Sequence, residues 1–519
     1  MALGLAAVVA ITLLMRVPAF RFPLDQDSSV YAYCTTVWSE GGLPYRDVWD
    51  HKPPLVYLVY RGLFLVGPSA GPGVNATLRV GSALCDAGPV VLLALLAARF
   101  FGPGVGVASG LVYGAFTGAP VLQLEAFQPE RLVALLCVGG MLAAARYADT
   151  RRYGFAALSG LLFGLGIAAK QIAAPIGLLA WAWVTLEAFR AEGRGALKRV
   201  VLHSALLAVG AVLPWALFAA YFAARGAWGE FWECAWRYNV LYAAEQRQGT
   251  LVEGVRKMVM RLLFDHAFLW VGAAGGVVAA LVRRPWRRGG LVFGAWTAVA
   301  FVALILPGQF AYYYYIPTVA PLAVASGVAV MGLARLLGLK SAIGNRQSQV
   351  AAAVASLVLL GLLGLAAKRS LAVYRGHTSP RYSDGVAAEV AAAIRAETRP
   401  GDRIYMRGGR PQVYVLSDRR NVCPYLYDFF YGIRPESAYL YQPQMLKVIL
   451  DGLAEHRPPF VLVTARGDGS PNEVFDGAWE NLPKYFPDFI EHLDAHYELA
   501  KRWAAAPVSF RLYRRKGAP

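Results

Sequence analysis

Charged residues are scarce in this sequence, and so are cysteines. Only 16% of the 519 residues are charged whereas 57% are hydrophobic, and the mean hydropathy is +0.42. This balance excludes an intrinsically disordered chain and is not that of a soluble globular protein. The five cysteines have no paired spacing, which excludes a disulfide framework or a zinc module as the organising principle. Most of the chain is therefore expected to lie in lipid.

Acidic residues are also in short supply, because 33 Asp and Glu stand against 51 Lys and Arg, for a net charge of +18. The positive charges fall in short clusters between apolar stretches rather than in one basic domain. This distribution argues against a nucleic-acid partner and is better explained by membrane topology. No Gly-rich loop stands in the context of a nucleotide-binding site.

Long apolar stretches make up most of the chain. A run of about 20 apolar residues crosses the hydrocarbon core, and by this measure the sequence predicts about eleven spans. The predicted fold is a polytopic α-helical membrane protein. The predicted spans lie around 2–20, 79–98, 105–122, 131–148, 154–169, 172–189, 200–222, 267–282, 291–306, 316–337 and 350–367.

The connecting segments predict an orientation. Lys and Arg collect in alternate loops, for example Arg146, Arg151 and Arg152 in one loop and Arg283 and Arg284 in another. Such loops are cytoplasmic by the positive-inside rule. We therefore expect a cytoplasmic N-terminus, an uncleaved first span and an extracytoplasmic C-terminal segment, in a bacterial inner membrane.

Three segments are too polar to cross the membrane and are predicted to lie outside: 21–78, 223–266 and 368–519. The chain thus divides into a membrane module, 1–367, and a C-terminal domain, 368–519. Helical patterns near 384–397 and 443–455 and short β-type runs predict that this domain is α/β. The β-type runs are Arg403–Met406, Val413–Leu416, Phe460–Val463 and Ser509–Tyr513.

Two carboxylates, Asp25 and Asp27, directly follow the first span. At this spacing they could chelate a divalent cation, or one could act as a general base while hydrogen bonds hold the other. The alternative is that Asp27 is the N-cap of a helix that starts at Ser28, since Asp is a favoured cap. Spacing alone leaves these alternatives open.

Lys52 stands before two prolines in the same loop. A rigidly placed cation at the membrane face suits the phosphate of a lipid carrier. A lysine that extends from the interface toward water is the commoner case. The lysine alone does not choose between them.

Several short motifs together resemble a known family. The sequence from Leu24 to Tyr60 is similar to the first extracytoplasmic loop of GT-C glycosyltransferases, in the superfamily of the protein O-mannosyltransferases and aminoarabinose transferases, and the resemblance continues along most of the chain. The motifs that carry it are Tyr31 four residues after Asp27, Pro44-Tyr45-Arg46-Asp47, Lys52-Pro53-Pro54-Leu55, Leu78-Arg79-Val80, Gln128-Pro129-Glu130, Gly164-Leu165-Gly166 with Lys170, Tyr314-Tyr315-Ile316-Pro317 with Pro321, and Gly401-Asp402-Arg403-Ile404-Tyr405.

The resemblance implies a membrane enzyme that takes a sugar from a polyprenyl-phosphate carrier at the outer face and transfers it, with inversion, to an acceptor hydroxyl. Aligned on Tyr31, Asp27 falls on the family's catalytic Asp, while the usual Asp-Glu pair reads Asp27-Ser28 here. Asp27 is therefore ranked first as the base and Asp25 second. Lys52 is expected to bind the carrier phosphate. The resemblance implies no metal, although the two aspartates make a divalent cation possible.

Other polar and aromatic side chains are candidates for the same cavity. Two further cations are candidates for binding the donor phosphate: Lys170, at the outer end of a span, and Arg79, in the second span. The alternative for Lys170 is an interfacial lysine that extends toward water, and the alternative for Arg79 is a structural role. Glu125, Glu130, Tyr313 and Tyr314 are candidates for the substrate cavity, against the alternatives of a tolerated outside acid and an aromatic-belt residue.

A transporter or flippase of lipid-linked saccharides is the rival prediction. It should show paired inverted repeats with broken helices, and the sequence shows neither. Acids concentrated in an outside loop favour an enzyme. The expected partners are a polyprenyl-phosphate sugar, the lipid bilayer and an acceptor that the sequence does not identify, which could be protein, lipid or glycan.

Overall fold

The structure of the protein is a computed structural model. The structure describes residues 1–119, 122, 126–245, 250–305, 311–336, 361, 368, 385–427, 442–466, 486–503 and 508–517. Glu125 and nearly all of the predicted span 350–367 lie outside the described residues.

The described part of the membrane module is mainly helical. In chain order, α1 to α14 are Ala2–Leu14, Gln26–Ser39, Leu55–Phe64, Val74–Phe101, Pro103–Thr117, Pro129–Thr150, Tyr153–Ala169, Ala174–Glu192, Leu197–Ala224, Trp228–Trp232, Tyr238–Glu245, Leu251–Val282, Arg287–Ile305 and Ile316–Leu336. Single turns of 3₁₀ helix lie at Val17–Arg21, Gln171–Ala173, Gly193–Ala196, Arg284–Trp286 and Tyr312–Tyr315, and a π-helical turn, Glu233–Arg237, joins α10 to α11.

The chain is an integral membrane protein. Among the described residues, six helical stretches are long and apolar enough to cross a bilayer: Ala2–Arg21, Val74–Phe101, Pro129–Thr150, Gln171–Ala224, Arg284–Ile305 and Tyr312–Leu333. The fourth is 54 residues long and contains both α8 and α9. Shorter apolar helices include Tyr153–Ala169 and His266–Val282. The number eleven stays a prediction.

The predicted span 267–282 corresponds to the apolar second part of a longer, kinked helix. Helix α12 begins at Leu251 rather than near 267, and it is kinked at His266, whose φ and ψ are −127° and 29°. Thr250 caps its first turn, because its side chain accepts from the backbone N–H of Glu253 and the Glu253 side chain accepts from the backbone N–H of Thr250. A polar helical extension that a capping box starts is invisible to a search for apolar runs.

Small residues let the helices approach closely. Gly160 and Gly164 of α7 lie against the backbone of α9, where an added Cβ would overlap the carbonyl oxygens of Leu207 and Ala211. Gly210 of α9 faces α7 in return, and its Cβ would lie 2.6 Å from the carbonyl oxygen of Ala157. In lipid, where no hydrophobic effect drives helices together, such backbone contact is a main source of packing energy.

Within its described residues, the C-terminal part contains a five-stranded sheet in the order β2-β1-β3-β5-β4. Its strands are Arg403–Arg407, Arg420–Asn421, Phe460–Arg466, Tyr497–Trp503 and Val508–Arg515, for β1 to β5, and its helices α15 to α18 are Gly385–Ala396, Gln412–Ser417, Gln442–His456 and Pro487–His496. Strands β1, β2 and β3 are parallel, and β5 is antiparallel to both β3 and β4. The α/β architecture agrees with the sequence prediction.

The predicted strand Val413–Leu416 is wrong, because these residues lie in the short helix α16. Val413, Tyr414 and Val415 are all buried, and the helix stops at Asp418 in the left-handed region. The hydroxyl of Tyr414 accepts from the backbone N–H of Met406 in β1, at 2.7 Å. Tertiary packing around this tyrosine overrides the β propensity of the run.

The C-terminal part packs on the loop that follows the first span. Asn421 donates its backbone N–H to the hydroxyl of Tyr33 at 2.7 Å, and the backbone N–H of Trp49 donates to the carbonyl of Pro424 at 2.9 Å. Arg420 forms an ion pair with Glu40. The two predicted outside regions are therefore in direct contact.

Candidate active site

Asp25 is the N-cap of α2. Its Oδ1 accepts from the backbone N–H of Ser28 at 2.8 Å, and its Oδ2 lies 3.7 Å from the guanidinium of Arg79. Burial raises the pKa of this carboxyl group, against the opposing effect of Arg79. The capping alternative for Asp27 is therefore wrong, since Asp25 fills that position.

Asp27 lies one residue into α2 and is only half-buried. The side-chain amide of Gln128 donates to its Oδ2 at 2.9 Å. Gln128 directly precedes α6, whose first residue is Pro129, so the start of one helix holds a carboxylate at the start of another. Asp27 is thus held by a hydrogen bond and partly exposed, two properties that a general base needs.

The backbone around Lys52 is held firmly. The hydroxyl of Tyr45 donates to the Lys52 carbonyl at 2.8 Å, and Pro53 and Pro54 lead directly into α3. The ammonium of Lys52 lies 2.8 Å from Nε2 of His51. Burial, and then the charges of Lys52 and Lys170, hold the pKa of His51 well below its usual range. A neutral imidazole can accept a hydrogen bond from the Lys52 ammonium.

Asp50 anchors the same segment from the other side. Its carboxylate is buried, and it accepts from the hydroxyl of Tyr57 at 2.7 Å and from that of Tyr427 at 3.2 Å. Burial raises the pKa of Asp50, and the neighbouring Lys52 opposes that rise. Tyr57 belongs to α3, whereas Tyr427 comes from the C-terminal part.

Lys170 forms an ion pair with Glu130. Its ammonium also lies over the ring of Tyr314, 3.3 Å from the centroid, and 5.9 Å from the ring centroid of Tyr313. Glu130 is fully buried at the start of α6, two residues after Gln128. Little water screens a buried ammonium that lies on an aromatic face, so its electrostatic attraction to a nearby anion is stronger than in bulk water.

Electrostatic interactions tie these groups into one cluster. The negative charges of Asp27 and Glu130 favour the charged form of Lys170, and the positive charge of Lys52 interacts with the hydroxyl of Tyr314. The cluster gathers residues from the first loop, α6, the α7–α8 junction and the turn before α14. Asp27, Lys52 and Lys170 therefore belong to one electrostatic cluster, with a carboxylate and two cations.

Arg79 has a different setting from the other predicted cations. Its side chain is 1% exposed, and it donates to the carbonyls of Ala19 and Pro23 as well as pairing with Asp25. These contacts favour a structural role that ties α4 to the start of the first loop. Its predicted role at the donor phosphate stays a prediction.

The sequence did not identify four residues that contact the predicted site residues or their neighbours: Gln128, Asp50, His51 and Tyr427. His51 was visible in the sequence beside Lys52. Among the residues that the structure describes, no group of three or more His, Cys, Asp or Glu side chains is arranged to hold a metal ion.

Comparison with solved structures identifies the fold. No family model matches this sequence, and no curated protein matches it. Among solved structures, ArnT from Cupriavidus metallidurans bound to undecaprenyl phosphate superposes with a TM-score of 0.60 at 15% identity, over 98% of this chain and 97% of that chain. The chain has the GT-C fold.

A second GT-C structure agrees. The oligosaccharyltransferase AglB from Archaeoglobus fulgidus, in complex with an inhibitory peptide and a dolichol-phosphate, superposes with a TM-score of 0.57 at 13% identity, over 99% of this chain and 74% of that chain. The GT-C fold predicted from the sequence is confirmed. At such low identities the likeness concerns the fold, and function has to be argued from the site.

Proposed function

We propose that the protein is a membrane glycosyltransferase that moves a sugar from a polyprenyl-phosphate carrier to an acceptor hydroxyl at the outer face of the membrane. The observation that carries the proposal is the pairing of a half-exposed carboxylate, Asp27, with two cations, Lys52 and Lys170, in one cluster. Glycosyl transfer from a phosphate needs these two kinds of group. The glycosyltransferase neighbours do not favour the transporter alternative.

In the proposed reaction, Asp27 takes the proton of the acceptor hydroxyl. The acceptor oxygen then forms a bond to the anomeric carbon while the bond from that carbon to the carrier phosphate breaks. The electron pair leaves on the polyprenyl phosphate, whose charge Lys52 and Lys170 offset. One base and one displacement give inversion at the anomeric carbon. Gln128 keeps Asp27 in place, and Asp25 with Arg79 fixes the start of α2.

The test separates binding from chemistry in the full chain. Native mass spectrometry in mild detergent, with undecaprenyl phosphate added as the probe, should detect bound carrier in the wild type and in Asp27→Asn, and none in Lys52→Ala. Transfer, measured with whichever carrier-linked sugar copurifies, should fall about 10²- to 10⁴-fold in Asp27→Asn, the usual contribution of a general base.

Two residues of the same loop provide matched controls. Asp47 and Arg46 are exposed and pair with each other, so Asp47→Asn and Arg46→Ala should keep both carrier binding and turnover. Wild-type turnover in Asp27→Asn would reject Asp27 as the base. Carrier binding that Lys52→Ala leaves unchanged would reject Lys52 as the phosphate ligand.

A further inference from the structure

The C-terminal part contacts the segment that carries Lys52, and it does so at an ionisable group. Tyr427 donates its hydroxyl to Oδ1 of Asp50 at 3.2 Å, across 377 residues of sequence. Next to it, the backbone N–H of Trp49 donates to the carbonyl of Pro424 at 2.9 Å. The C-terminal part thus supplies two hydrogen bonds to consecutive residues of the loop.

Two side chains, Tyr57 and His51, link Asp50 to Lys52. The hydroxyl of Tyr57 donates to Oδ2 of Asp50 at 2.7 Å and lies 3.4 Å from the carbonyl of Lys52. Nδ1 of His51 lies 3.5 Å from Oδ1 of Asp50, and Nε2 of His51 lies 2.8 Å from the Lys52 ammonium. Both ends of Lys52, its carbonyl and its ammonium, are therefore held by groups that touch Asp50.

A third element holds the same backbone. Asn239, in α11, donates its side-chain amide to the carbonyl of His51 at 2.7 Å. The ring of Tyr238 packs against Trp49 and His51, with centroids 5.0 and 5.3 Å away. Since α11 already fixes the backbone at His51, what remains to be set is the direction of the His51 and Lys52 side chains, and the Asp50 carboxylate is the group placed to set it.

We propose that Tyr427 is a positioning residue that completes the phosphate site from the C-terminal part, by holding Asp50 so that His51 directs the Lys52 ammonium toward the carrier. The proposal rests on the role proposed above for Lys52. It makes the C-terminal part a component of the site rather than an appended domain. Removal of one hydroxyl, Tyr427→Phe, should weaken the site without removing any group that touches the carrier.

The expected effect is a loss of affinity with a pH signature. Tyr427→Phe should weaken binding of undecaprenyl phosphate about tenfold, the value of one hydrogen bond to a charged group. It also removes a donor that lowers the pKa of Asp50. The pKa should then rise further, so binding should be lost at a higher pH on acidification than in the wild type.

Several other titratable groups face Asp50, and none of them is altered in this variant. They come from the loop itself, α2, α3 and the π-helical turn, and comprise Tyr31, Cys34, Tyr45, His51, Lys52, Tyr57 and Cys234. The carrier phosphate also titrates. The diagnostic quantity is therefore the shift of the pH profile relative to that of a matched variant.

The experiment measures the Kd of undecaprenyl phosphate for the full chain in nanodiscs between pH 5 and pH 8. Tyr425→Phe is the matched control, since it removes a phenol two residues away that does not bond Asp50. Its Kd and pH profile should follow the wild type.

The outcomes separate the two proposals. Unchanged binding in Lys52→Ala would overturn the phosphate role of Lys52 itself. Lost binding in Lys52→Ala, together with a wild-type Kd and pH profile in Tyr427→Phe, would overturn the positioning role alone. Should Tyr427→Phe fail to fold, Asp50→Asn reaches the same contacts from the loop side. Wild-type binding in that variant would likewise overturn the positioning role.

Discussion

At the scale of single residues, Asp86 shows how the bundle tolerates charge. It is fully buried in α4 between two arginines, with Oδ2 2.8 Å from the guanidinium of Arg16 and 2.5 Å from that of Arg131. Arg16 donates as well to the hydroxyl of Thr117 at 2.9 Å. One carboxylate thus joins the turn after α1 to α4 and α6, and Arg16 extends the network to α5. An intramembrane charge is tolerated only when it is paired in this way.

Asp86→Asn should destabilise the protein strongly, because it leaves two buried guanidinium groups without their shared carboxylate. Breaking a buried ion pair by removal of one partner costs about 3–5 kcal/mol. The measurement is the free energy of unfolding, or the thermal midpoint, of the purified protein in detergent.

Asp149→Asn provides the comparison for that prediction. Asp149 pairs with Arg99 in a partly exposed position, where a salt bridge contributes about 0–1 kcal/mol. If both variants lost the same stability, the ion cluster around Asp86 would not have the structural importance inferred here.

The residues of the site differ in how visible they were in the sequence. Asp27 and Lys52 stood out because polar chemistry in a short loop between apolar runs has few structural explanations. Gln128 and Tyr427 did not stand out. Gln128 contacts Asp27 across 101 residues of sequence, and Tyr427 contacts Asp50 across 377. The motif Gln128-Pro129-Glu130 marked Gln128 as part of the family resemblance but not as a partner of Asp27, and nothing local in the sequence distinguishes Tyr427 from any other loop Tyr.

At the scale of elements, the contact between α7 and α9 depends on glycine spacing. Gly160 and Gly164 are four residues apart and therefore share one face of α7. Gly210 lies opposite them on α9. The sequence predicted both helices as spans, but it did not predict that they pair.

Gly164→Ala should destabilise the bundle, because the new methyl group meets the backbone of α9 rather than a movable side chain. Overpacking of this kind costs about 1–3 kcal/mol. The thermal midpoint in detergent should fall accordingly.

Gly154→Ala, near the start of the same helix, has open space for its methyl group. It should be neutral or slightly stabilising, since Ala favours a helix over Gly by up to about 1 kcal/mol. A thermal midpoint that falls equally in both variants would rule out close packing as the explanation.

At the scale of the whole molecule, the contacts constrain topology. The first loop packs against the C-terminal part through Tyr33–Asn421, Trp49–Pro424 and Glu40–Arg420. Parts of a chain in direct contact outside the bundle lie on the same side of the membrane. The orientation predicted from the loop charges places both outside.

Reporter fusions should reveal this orientation in a bacterial host. Alkaline phosphatase, which is active only outside the cytoplasm, should be active when fused after residue 519 and inactive when fused after Arg152. A green fluorescent protein fused at the same two points should give the opposite pattern. The reverse result at both points would invert the topology, and the proposed outer-face reaction with it.

The sequence by itself determined that the chain is an integral membrane protein, and it predicted which segments span the bilayer and which side chains can do chemistry. Apolar runs of this length have few stable solutions other than a span, and their pattern is local. Tertiary structure alone decided that Asp25 rather than Asp27 caps α2, that Gln128 holds Asp27, and that Tyr427 reaches Asp50. Those choices depend on which distant segments meet, and hydrophobic periodicity carries no information about such meetings.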